Sequence, residues 1–137
     1  MHRMGVVRAG LIAALLLVLV LSPNSSAQAQ KPQTVKLVVN YGDGVEKHFT
    51  ALPWREGMTV LDLMKQAREH PRGIKFEHAG EGEKAFLSAI DGVSNEGGGR
   101  NWIYRVNGEV GDRSFAVMPI AAGDVTNWTF GPYGDDP

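Results

Sequence analysis

Cysteine is missing from all 137 residues. Its absence excludes disulfides, thiolate metal sites, a cysteine nucleophile and lipid attachment through a thiol. A domain of this size must then be held together by its apolar core. An excess of either charge is lacking too. Lys and Arg number 14 against 15 Asp and Glu, a formal net of −1. With no concentrated basic face, nucleic acid is not an expected partner. Catalytic patterns are equally scarce. No G-x-S-x-G elbow occurs, since Ser94, the serine nearest the glycines, is followed by Asn95 and Glu96. There is no H-E-x-x-H pair, and His48, His70 and His78 stand apart. Neither a catalytic residue, nor a metal site, nor a resident cofactor is expected. The stretch DGVSNEGGG (residues 91–99) resembles a calcium loop only in composition. Its third position is Val93, and no closing glutamate stands at the required distance. GEGEK (residues 80–84) is too short and too acidic for a phosphate loop. Asp43, Asp91, Asp112 and Asp124 sit beside glycines, where turn geometry accounts for them.

Long apolar runs are rare, and the notable one covers residues 9–21. It follows Arg3 and Arg8 and precedes Ala27-Gln28-Ala29, an A-x-A cleavage pattern. The run is shorter than the roughly 20 residues a membrane-spanning helix needs. Residues 1–29 are therefore expected to be a cleaved signal peptide. Residues 30–137 are expected to form one exported domain, periplasmic or extracellular, with no membrane contact after cleavage. Loss of Arg3 and Arg8 leaves 12 basic against 15 acidic residues, a net of about −3.

What the chain does contain is a series of short strand patterns around one helix. TVKLVVN (residues 34–40) and VEKHFTA (residues 45–51) flank the turn Tyr41-Gly42-Asp43-Gly44 and predict a hairpin. TVLDLMKQAREH (residues 59–70) predicts the main helix. Thr59 would cap it, Val60, Leu61, Met64 and Ala67 fall at helical spacing with Leu63 beside them, and Pro71 stops it. Strands are predicted at 74–78, 85–90, 102–106 and 125–130, with a long loop over 91–101. Trp102 and Tyr104 should share one strand face, with Ile103 and Arg105 on the other. Asn107-Gly108 predicts a type I′ hairpin turn, because both central residues of that turn need positive φ. Hairpin, helix and further short strands make an α+β fold, a β-grasp-like mixed sheet with the helix packed on one face. Trp54, in a Pro/Gly-bounded loop, and Tyr133, near the end, are hard to bury fully and are candidate contact residues.

NWIYRVNGEV (residues 101–110) followed by AAGDVTNWTF (residues 121–130) resembles the transcobalamin-like C-terminal domain family. That family pairs a W-x-Y-x-V-N-G hairpin with a later G-D-x-x-x-W strand. Here these are Trp102, Tyr104, Val106, Asn107 and Gly108, then Gly123, Asp124 and Trp128. The similarity reaches back through GMTVLDLMKQA to the first strand. It implies a small secreted domain that closes over a corrinoid held mainly by a separate helical barrel. The ligand-facing strand would be Phe86, Leu87 and Ser88, and the nearby loop Arg113, Ser114 and Phe115. No stretch of this chain would form such a barrel, so cobalamin is expected only as a ligand shared with a partner.

To these residues the glycine loop adds Gly97, Gly98, Gly99 and Arg100. Its side-chain-free backbone would leave N–H and C=O groups available at the same edge. The expected function is an exported, non-enzymatic binding module. Its ligand would be a small molecule, such as a corrinoid shared with a partner, or a cell-envelope protein. Two alternatives are a structural envelope domain without a small ligand, and a small hydrolase gathering His48, His78, Asp91 or Glu96.

Overall fold

The computed structural model describes residues 33–134. The chain divides into two units, Met1–Gln30 and Lys31–Pro137, and every described residue belongs to the second. The signal peptide expected at residues 1–29 lies outside the described residues.

Strand β1 (Thr34–Asn40) forms because every second residue is a β-branched or leucine side chain. Val35, Leu37 and Val39 are buried, and Lys36 between them is exposed. The turn at Tyr41–Gly44 returns the chain as β2 (Glu46–Pro53), antiparallel to β1 with Leu37 opposite Phe49. Phe49 and Leu52 are both buried although they stand three apart, a spacing that would place them on opposite faces of a regular strand. A register shift against Val35–Leu37 inserts the extra residue that brings both inward.

Helix α1 (Val60–Glu69) starts where Thr59 caps it. The Thr59 side chain accepts the Asp62 N–H, and the Asp62 carboxylate accepts the Thr59 N–H at 3.0 Å. The residues buried are Val60, Leu63, Met64 and Ala67; Leu61 lies at the edge of the stripe and is only half-buried. At the far end Arg68 lays its guanidinium 3.8 Å from the centre of the Phe76 ring and donates to the Phe76 carbonyl. Among the described residues no helix is long and apolar enough to cross a membrane.

The chain continues as β3 (Phe76–Ala79), a 3-10 turn (Gly82–Lys84), β4 (Phe86–Ile90) and β5 (Val93–Ser94). These three strands form a small antiparallel sheet in the order β3-β4-β5. The strand expected from Ile74 begins two residues later, because the Ile74 N–H goes to the Ala67 carbonyl and the Lys75 N–H to the Asp91 carboxylate rather than to a neighbouring strand. Then come β6 (Asn101–Val106), β7 (Glu109–Val110) and β8 (Val125–Gly131). The larger sheet has the order β2-β1-β8-β6-β7, with β8 parallel to β1 and antiparallel to β6. Asn107 and Gly108 take φ of 51° and 84°, the type I′ turn expected from their identities.

The fold is α+β, a mixed sheet with one helix packed on one face, as the sequence pattern implies. The strands divide between two sheets, however, and β5 is too short to leave a periodic signal. Trp102 and Tyr104 face inward beside Phe130 and Trp128, with ring centres 5.2 and 5.1 Å apart. Arg105, on the opposite face, is also buried, at 4 % exposure.

Candidate functional site

The segment after β7 is tied down by the helix it crosses. The first N–H groups of a helix have no partner within it. Here Val60 N–H donates to the Met118 carbonyl and Leu61 N–H to the Phe115 carbonyl, each at 3.0 Å. Phe115 is thereby pulled into the core, edge-to-face with Trp128 at 5.5 Å. Ser114 Oγ donates to the Ala85 carbonyl at 2.6 Å, and Tyr104 donates its hydroxyl to the Arg113 carbonyl. These bonds hold residues 113–115 against the start of β4. Trp54, half-buried, donates its indole N–H to the Ile120 carbonyl at 2.9 Å, so its polar end is satisfied inside the fold. Tyr133 stays 85 % exposed.

Between β4 and residues 113–115 lies a cleft of about 230 Å³. Phe86 stands at it with 57 % exposure, while Leu87 and Phe115 contribute from the core and Ser88 is half-buried in the strand. Trp102, Tyr104 and Trp128 also line it. Trp128 is 2 % exposed, and its Nε1–H is buried without a hydrogen-bond partner among the described residues. A buried donor of this kind normally finds a partner. Burial, then the charge of Asp112, pushes the Tyr104 phenol up, with Arg113 opposing.

Asn95 organises this region, and nothing in the sequence singled it out. Its Nδ2 donates to the Leu87 carbonyl at 2.7 Å, and its Oδ1 accepts the Trp102 N–H at 2.8 Å. One amide therefore ties the small sheet to the large one.

The glycine loop is placed elsewhere. Part of its backbone, expected to be available, is closed on itself. Glu96 N–H donates to the Arg100 carbonyl at 2.8 Å. Gly97 N–H donates to Asn101 Oδ1 at 3.0 Å, and Asn101 Nδ2 donates back to the Gly97 carbonyl at 2.8 Å. The Asn101 side chain thus occupies groups that a ligand would have needed. Arg100, paired with Glu96 at 3.1 Å, lines a second cleft of about 450 Å³ with Tyr41, Lys47, Asp91 and Phe130. Trp102 stands between the two clefts. It lines the first and touches Tyr41 and Phe130 of the second, with ring centres 5.7 and 5.2 Å away. The expected single edge is therefore two surfaces: Phe86 and Leu87 with 113–115 on one, and Arg100 on the other, while Ser88 lines neither cleft.

Asp91 is more than a turn residue. With Gly92 it makes the tight turn between β4 and β5, at φ of 47° and 78°. One carboxylate oxygen accepts the Lys75 N–H at 2.8 Å; the other accepts the Tyr41 hydroxyl and Lys47 Nζ, the latter at 3.0 Å. Burial would raise this carboxyl, but those three donors outweigh it and the net shift is downward. Burial, followed by the bond to Asp91, pushes the Tyr41 phenol well above the ordinary range. We expect Tyr41 to resist ionisation in an alkaline absorbance titration, and stability to fall only as pH rises above about 10, the value for a free phenol.

The four residues a hydrolase would gather are engaged separately. His48 bonds Glu46 at 2.7 Å, His78 stacks on Phe76, Asp91 holds Tyr41 and Lys47, and Glu96 holds Arg100.

A family model described as Domain of unknown function (DUF4430) matches residues 57–131. The chain belongs to this family. DUF4430 is itself grouped with the transcobalamin-like domains, in line with the motifs at Trp102–Gly108 and Gly123–Trp128. The match spans α1 to β8, so the first cleft lies wholly within the DUF4430 segment, whereas Tyr41 and Lys47 of the second precede it. A solved structure from Ruminococcus gnavus, provisionally described as a metal binding protein, is similar with a TM-score of 0.58 at 15 % identity. The likeness covers 73 % of this chain and 97 % of that one, and shows the fold alone. No curated protein matches the DUF4430 chain.

Proposed function

We propose that this DUF4430 domain is an exported, non-enzymatic binding module that seats the edge of an organic ligand in the cleft between β4 and residues 113–115. The observation that carries the reading is the buried, unpartnered Nε1–H of Trp128, a residue that lines the cleft together with the rings of Phe86, Trp102, Tyr104 and Phe115. A ligand edge that offers an acceptor to this indole and apolar surface to the rings gains both hydrogen bonding and burial. The cleft is smaller than the roughly 300–1,000 Å³ of a site that encloses a whole small molecule. It therefore suits one lobe of a larger ligand, and a corrinoid shared with a partner protein fits that division. Phe86, exposed at the mouth, is where such a partner would close. The Ruminococcus gnavus protein's description raises metal binding as a second idea. The cleft walls here offer rings, a guanidinium, an amide and a hydroxyl rather than carboxylates and imidazoles, which favours an organic ligand.

The test is calorimetric titration with cyanocobalamin, preceded by a thermal-shift screen of other small molecules and a pull-down from native envelope extract. The ligand found should lose about tenfold in affinity on Trp128→Phe, which deletes the donor but keeps a ring, and more on Phe86→Ala. A ligand or partner whose binding is unchanged by both substitutions would remove this cleft from consideration.

A further inference from the structure

Strand β2 lies at the edge of the larger sheet. β1 occupies one side of it, and among the described residues no strand pairs with the other. Tyr41 N–H donates to the Val45 carbonyl at 3.1 Å, which sets the phase of the β1–β2 ladder. Val45, Lys47 and Phe49 then turn their peptide groups toward β1, and Glu46, His48 and Thr50 turn theirs outward. Such an edge is a template for another strand. The register shift beyond Phe49 and the ring of Pro53 confine the template to the first half of β2.

Along β2 runs a cleft of about 480 Å³. Phe49 and Leu52 contribute its apolar surface, and His70 and Arg72, just past the end of α1, form its far wall. The Phe49 and His70 rings meet edge-to-face at 5.4 Å, which holds wall and strand together. The ionisable side chains lining the cleft are Lys47, His48, His70 and Arg72, all of basic type. Lys47 is paired with Asp91 at 3.0 Å, and His48 with Glu46 at 2.7 Å. The Arg72 guanidinium has no acidic partner among the described residues.

We infer that the open edge of β2 accepts an extended, acidic segment of another protein, laid beside residues 46–50 as a sixth strand with carboxylates toward His70 and Arg72. Main-chain bonds to Glu46, His48 and Thr50 would supply affinity, and the basic wall would select the guest. Pairing with a second copy through the same edge would bring no free acidic row to His70 and Arg72, because the Glu46 carboxylate is already held by Asn40 and His48.

The test uses the full chain and fluorescence anisotropy with three labelled peptides of eight residues: alternating Val-Glu, alternating Val-Lys, and the Val-Glu peptide N-methylated on alternate amides. The Val-Glu peptide should bind, at least tenfold more tightly than either of the others, and more weakly as salt is raised. Arg72→Glu should lower its affinity at least tenfold while leaving the melting temperature unchanged. Equal binding of the Glu and Lys peptides would overturn the charge selection. Equal binding of the N-methylated peptide would overturn the added strand. A dimer in sedimentation that the Val-Glu peptide dissociates would assign the edge to a second copy and overturn the proposal as well.

Discussion

Gly111→Ala is expected to destabilise the protein by about 3 kcal/mol, the upper range for forcing a methyl group into a filled core. A Cβ at this position would overlap the hydroxyl-bearing edge of the Tyr104 ring. That ring cannot swing away cheaply. It is packed on Trp128 at 5.1 Å, and its hydroxyl is bonded to the Arg113 carbonyl. Displacing it also releases residues 113–115, so ligand binding in the first cleft should fail together with stability. Urea unfolding measures the loss. Tyr104→Phe separates the causes, since it removes only the hydroxyl and should cost about 1 kcal/mol. In the double variant Gly111→Ala/Tyr104→Ala the two effects should fall well short of additivity, because the small residue vacates the space the methyl needs. Strict additivity would mean that the glycine matters for another reason.

Asp91→Ala should cost about 2–3 kcal/mol, because it strands the Tyr41 hydroxyl and Lys47 and places a residue with no side-chain acceptor at positive φ. Asp91→Asn keeps a residue that tolerates the turn but removes the charge, and should fall between alanine and the native protein. The pH dependence gives an independent measure. The carboxyl is held below its ordinary value of 3.8 in the folded state. Its contribution is therefore complete above about pH 4 and is lost as pH falls through the depressed folded value. Native protein should lose this increment on acidification, whereas Asp91→Asn should not. Identical acid profiles for the two would show that Asp91 acts through the turn alone.

Much of this architecture is legible in the sequence because its signals are local. The alternation in β1, the cap and apolar stripe of α1, and the Asn-Gly turn after β6 each depend on residues within one element. The divided sheet is not legible, because β5 has two residues and takes its meaning from pairing with β4. Asp91 presents itself as a turn residue, and it is one. Its second role depends on Tyr41 and Lys47, far away along the chain, and no spacing rule connects them. The glycine loop misleads for the opposite reason. Its composition suggests free peptide groups, but Asn101, at the start of β6, takes up both those of Gly97 and the Gly99 carbonyl. The motif tryptophans are legible as core, yet the unpartnered nitrogen of Trp128 appears only once its neighbours are in place.

The parallel pairing of β1 with β8, Lys36 opposite Val125, sets the middle of the larger sheet from two distant parts of the chain. A loop of that span is slow to close, and the ladder yields nothing until it does. Assembly should accordingly wait on late-arriving residues. A fragment ending before Val125 would leave the inner flank of the first strand bare and prone to clump with its own kind. Ribosome-bound or clipped forms of this polypeptide should therefore depend on holding factors until the final strand arrives.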